Sequence, residues 1–136
     1  MKKTGLLFLM LCMLHVLLAG CAREEAEVVK IRDLDFTVVA TEHVPEELLV
    51  ILEEEKAQPF YRTYAEEGYM YLCVGYGEQE TGGYSIVVNE LYLTEEYVCM
   101  DTTLNGPGAG EEIMYNKSYP YIVICTEYID RPVTFE

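Results

Sequence analysis

The sequence predicts a mainly β domain of the α+β class, a small antiparallel sandwich or open barrel with one packed helix. Three observations carry that expectation. A single stretch, residues 45–57, has apolar residues at helical spacing. Roughly six other runs alternate or stay apolar over the length of a strand. Glycines, prolines and paired glutamates punctuate those runs at short intervals, as in all-β domains.

An export segment precedes the domain. Lys2 and Lys3 are followed by residues 5–18 (GLLFLMLCMLHVLL), nearly unbroken apolar sequence, and then by Ala19, Gly20 and Cys21. Positive start, apolar run and small-residue site are the order of a secretory signal. The run is short for a membrane span, since a helix needs about 20 residues to cross. Leu18-Ala19-Gly20-Cys21 resembles the lipobox of bacterial lipoproteins. The resemblance implies that the Cys21 thiol takes a diacylglycerol, that the chain is cut just before it, and that acyl chains then anchor it. The expected home is the extracytoplasmic side of the cell membrane or outer membrane. The expected organisation is signal peptide 1–20, lipidated cysteine and tether 21–33, and domain 34–136.

Removing residues 1–20 leaves 136 − 20 = 116 residues, enough for one domain. Two of the 9 basic residues go with the signal while all 24 acids stay, so the mature charge is 7 − 24 = −17. Such a chain repels nucleic acid and anionic headgroups, and no nucleic-acid partner is expected. All 12 tyrosines lie in the mature part with many aliphatic residues, enough apolar surface to fold.

The elements follow in order. Residues 22–27 (AREEAE) read as a charged tether. Residues 29–38 alternate, with Val29, Ile31, Leu34, Phe36 and Val38 inward and a phase change near Asp33. In the helix, Pro45 suits the first position, Glu46 and Glu47 the positive end of the dipole, and Lys56 the negative end. Leu48, Ile51 and Leu52 form its buried face, and Gln58-Pro59 ends it. After the turn at residues 66–68 comes a strand at 69–76 (YMYLCVGY). A loop at 77–83 leads to a long strand at 84–93, whose inward set switches from Ile86 and Val88 to Leu91 and Leu93. That switch predicts a bulge near Asn89 and Glu90. Residues 97–104 alternate, 119–129 are apolar on both faces like a central covered strand, and 131–135 suit an edge strand.

No catalytic signature emerges. The mature chain has one histidine, His43, and two serines, Ser85 and Ser118, without a G-x-S-x-G elbow. Cys73, Cys99 and Cys125 lack C-x-x-C spacing and sit inside strand-like runs, as buried small hydrophobes would. One disulfide among them stays open, since pairing is not readable from sequence. The acids show no EF-hand pattern, and residues 105–110 (NGPGAG) lack the lysine and helix of a phosphate cradle. Neither a cofactor nor a metal is expected.

Three loops stand out: residues 81–84 (Thr81, Gly82, Gly83, Tyr84), residues 106–110 with Gly106, Gly108 and Gly110, and the pair Arg131-Pro132. Ordinary turn chemistry is the simpler account of the second and third. Residues 75–88 (GYGEQETGGYSIVV) place a G-x-x-x-T-G-G-Y loop between two strands, and this segment resembles the PrcB C-terminal domain family. The likeness continues through the glycine-proline loop and Ser118-Tyr119-Pro120, over roughly residues 34–136. It implies a noncatalytic, lipid-anchored partner or stabiliser of an exported protease, with residues 81–84 as the partner-binding loop. Chagasin-type protease inhibitors present a weaker likeness, since they show three loops of related composition in the same order. Here Gly82 replaces the second threonine of a T-T-G-aromatic loop, and Val133 stands where an aromatic is expected. A small-ligand-binding lipoprotein is the remaining alternative, and it requires a concave apolar cavity.

Overall fold

The computed structural model describes residues 27–136, so the signal peptide, Cys21 and tether residues 22–26 lie outside the described residues. Two four-stranded sheets face each other. The first has β1 (Arg32–Asp33), β5 (Ser85–Leu93), β6 (Val98–Asn105) and β8 (Val133–Phe135) in that spatial order. The second has β2 (Thr37–Val38), β7 (Tyr121–Glu127), β4 (Tyr69–Tyr76) and β3 (Pro59–Glu66). Every pairing is antiparallel except β6 with β8. The result is a sandwich and not a closed barrel, and it bears out the fold class expected from the sequence.

The core lies between the sheets. Leu72 and Val74 of β4 and Ile122 and Ile124 of β7 meet Leu91 and Leu93 of β5 and Val98 and Met100 of β6. Alternation supplies this set, because successive side chains on a strand point to opposite faces. In β5 the phase is rescued by one extra residue. Val88 pairs with Thr102 and Glu90 with Asp101, leaving Asn89 as the bulge. Its amide turns outward, donating to Thr103 Oγ1 at 2.7 Å.

A second core covers the outer face of the β4–β7 sheet. Helix α1 (Glu46–Glu55) lays Leu48 and Leu52 on Cys73 and Val123, with Val44 beside them. Burying a leucine this fully stabilises by roughly 1.5–3 kcal/mol. Leu49 packs against this cluster while Ile51 stays half-buried, so the helix face is rotated from the expected Leu48, Ile51 and Leu52. Pro45 precedes the first helical residue, and its carbonyl accepts the first helical N–H, from Leu49, at 2.9 Å. Strand β7, covered on one side by the other sheet and on the other by α1, is the two-faced apolar strand the sequence announced.

Two regions differ from expectation. Residues 29–38 are not one half-buried strand. The chain pairs with β5 at β1, plunges Leu34 into the core, and pairs with β7 at β2. The phase change near Asp33 is a change of sheet, and Val29, Ile31, Phe36 and Val38 are exposed. The other difference is β3, which begins at Pro59 and forms a hairpin with β4 through Glu67 and Gly68, both at positive φ. Its Phe60 ring covers Gly75 so closely that a Cβ there would clash with the ring edge. Tyr61 of β3 stacks on Phe135 of β8 with ring centroids 4.8 Å apart, closing that side of the sandwich. Cys73 and Cys99 are buried, Cys125 is half-buried, and all three are free.

Candidate functional site

Every strand of a sandwich runs between two ends, and the three loops singled out above do not share one. The β4–β5 connection (residues 77–84) and the β6–β7 connection (residues 106–120) lie at the end marked by Ser85 and Asn105. Arg131 and Pro132 lie at the opposite end, beside the β5–β6 turn. There Arg131 donates to the Thr94 carbonyl at 2.9 Å, and the Pro132 carbonyl accepts from the Val98 N–H at 2.9 Å. Both residues therefore brace the fold, and the three-loop edge that an inhibitor-like arrangement needs is not formed.

The first two loops are locked together. Gln79 and Ser118 exchange backbone hydrogen bonds of 2.8 and 3.0 Å. Ser118 Oγ donates to the Thr81 carbonyl at 2.7 Å, and the Gly82 N–H donates to the Met114 carbonyl at 2.9 Å. Lys117 bridges to Glu78 at 3.0 Å, and the Tyr119 hydroxyl donates to the same carboxylate at 3.1 Å. Those two donors, Lys117 first, hold the Glu78 carboxyl below its ordinary range. Gly83 has φ +86° and sits against Pro107, where a Cβ would come within 3.1 Å of the ring. Glycine is needed there on both counts. At Gly82 an added Cβ would make only ordinary contact with Met114, so no such need exists.

This bracing changes the role of Tyr84. Its ring lies along Gly106, half-buried between the loops, and does not stand free at the rim. The side chains that do project from this end are Ile113, Met114 and Tyr115, with 41%, 64% and 83% of their surface exposed. Sequence reasoning passed over them because they belong to no strand or helix period. The signal was three consecutive apolar residues between Glu111-Glu112 and Asn116-Lys117.

A second feature lies on the outer face of the β2–β7–β4 side. An open groove of about 720 Å³ is lined by Arg32, Phe36, Val38, His43, Tyr69 and Tyr71, among others. Cys125 and His43 share this groove, yet burial pushes the Cys125 thiol up, away from the thiolate a nucleophile requires. Arg32 is held by Glu127 at 2.6 Å. Among the described residues no three metal-ligating side chains cluster, and no helix is long and apolar enough to cross a membrane.

Neither a curated protein nor a solved structure matches the chain. A family model does match, over residues 70–127, which run from the second residue of β4 to the last residue of β7 and so enclose both braced loops. With its paired strands and the T-G-G-Y loop between them, that segment of the chain is similar to the PrcB C-terminal family.

Proposed function

We propose that this protein is an extracytoplasmic lipoprotein, anchored through lipid on Cys21, whose domain is a noncatalytic protein-binding module. Its partner is an exported protein, and the family points to a protease that the domain joins or stabilises. The anchor places it on the cell membrane or outer membrane. The binding element is the double loop of residues 81–84 and 106–118. One observation carries this reading: two connections far apart in sequence are braced into one rigid end, and that end leaves apolar side chains in water. Loops held this tightly need no further ordering on binding, which favours recognition. A net charge of −15 on the whole chain argues against nucleic acid as the partner.

Two measurements test it. Metabolic labelling with a palmitate analogue should mark the protein, and Cys21→Ser should abolish the label and leave unprocessed precursor. Affinity recovery of the full-length protein from detergent-solubilised membranes should bring down an exported protease. Processing without lipid would remove the anchor, and recovery of no companion would remove the binding role. The groove beside Tyr69 and Tyr71 favours a second reading, a small-ligand site. Its open form makes that the weaker one.

A further inference from the structure

We infer that residues 113–115 form an apolar finger that enters an apolar pocket rimmed by lysine and arginine on a partner protein. This rests on the protein-binding reading above and names the contact and its chemistry.

Ile113, Met114 and Tyr115 are consecutive and outward, and Tyr115 is the most exposed at 83%. Their backbone is fixed by the Gly82 to Met114 hydrogen bond and by the Gln79–Ser118 exchange just beyond. A tyrosine and a methionine on a fixed loop offer large contact area with little entropy left to lose. The finger's surroundings are acidic. Glu80, Glu111 and Glu112 form no ion pair among the described residues, and Lys117, the single cation of these two loops, is taken by Glu78. Glu111 accepts from the Gly108 N–H at 3.1 Å, which fixes one carboxylate beside the finger.

Charge and position select the occupant. A bilayer with anionic headgroups would be repelled by three carboxylates. The finger also stands at the wrong end for the membrane. Glu27 to Val29 lie against residues 94–97 of the β5–β6 turn, so the tether leaves from the opposite end. Strand β5 alone, nine residues long, separates the ends by about 26 Å at 3.3 Å per residue. A second copy of the chain would bring two acidic fingers together and is disfavoured for the same electrostatic reason. A basic rim is what complements this surface.

The test places a photo-crosslinking amino acid at position 115 in the full-length lipoprotein on cells, with the same residue at Val87 as a control. Val87 is an exposed apolar residue within β5, outside the two loops. The expected result is one discrete protein adduct from position 115 and none from 87. Peptide mapping should locate it in an apolar site flanked by lysine or arginine. Glu111→Lys with Glu112→Lys should remove the adduct, and raised salt should weaken it. Tyr115→Ser should lower recovery of the same partner about thirtyfold, the effect of losing an anchor residue. A lipid adduct, an adduct to a second copy, or unchanged yield in the Glu→Lys pair would overturn the inference. Loss of the adduct site with the partner still recovered would leave the binding module intact and move its surface elsewhere. No companion in either experiment removes both.

Discussion

The two ends of the sandwich use similar residues for opposite purposes. At the end holding Arg131 and Pro132, polar groups turn inward. The Thr94 hydroxyl accepts from the Glu96 and Tyr97 N–H groups at 3.2 and 2.9 Å, and Arg131 caps the Thr94 carbonyl. At the end holding residues 81–84 and 106–118, hydrogen bonds also brace the backbone, but the apolar side chains turn outward. Glycine and proline content does not separate these cases. The run of three consecutive exposed apolar side chains at 113–115 does, set against the single exposed Tyr128 in the loop that carries Arg131, because burial, not composition, decides whether a side chain stabilises the fold or waits for a partner.

Substitutions can break this contrast, and they rank by expected effect on stability. Gly83→Val should be the most severe, about 2–3 kcal/mol, since a β-branched residue at positive φ is strained and here also meets Pro107. Denaturant unfolding measures it; a loss under 1 kcal/mol would mean the double loop is not rigidly held. Arg131→Ala should cost about 1–2 kcal/mol by uncapping a carbonyl, with partner recovery unchanged. If recovery fell with it, that end would belong to the interface. Tyr84→Ala should cost roughly 1 kcal/mol through lost packing on Gly106, so weakened recovery in that variant has to be judged against its stability. Tyr115→Ser and Met114→Ser should change stability by less than about 0.5 kcal/mol, as exposed positions do. A larger loss would show that the finger is packed in solution.

The smallest effect is one of pH. The Glu78 carboxyl is held below its ordinary value of 4.5, so its bond to Lys117 contributes fully above that value and is lost as pH falls through the lowered one. Protection of the Gln79 and Ser118 amides, taken relative to intrinsic exchange, should therefore fall below about pH 4.5 before global unfolding, and Glu78→Gln should flatten that dependence. Equal loosening at Arg131 in the same window would remove the distinction between the ends. Thiol chemistry offers a companion check on the interior. Burial pushes Cys73 up to about 12, so it should resist alkylation at pH 8 until the protein is denatured.

Strong periodicity was readable in the sequence and weak periodicity was not. Strand β4 was delimited to the residue, and the bulge at Asn89 followed from a phase switch that only an inserted residue repairs. Strand β3 escaped because it is an edge strand whose sequence, PFYRTYAE, mixes aromatic and charged residues without clean alternation. Its partner's needs explain it better, since Phe60 is there to cover Gly75. The two-residue strands β1 and β2 owe their pairing to the buried Leu34 between them, a tertiary cause no local pattern carries. At the candidate site, glycines singled out the loop at 81–84, and of its two glycines only Gly83 has positive φ. The contacts between loops, 37 residues apart from Thr81 to Ser118, became visible only in the fold.

Strand β1 has a mechanical consequence. The chain enters at Glu27 beside the β5–β6 turn and runs up along β5, held by the Ile31 to Leu93 and Leu34 to Leu91 hydrogen bonds of 2.7 and 2.9 Å. Those bonds lie across the strand direction. A pull on Glu27 against a load at residues 113–115 would run parallel to β1 and stress its bonds together in shear, not one at a time like a zipper. Leu34, sunk between the sheets just above, acts as a knot in that thread.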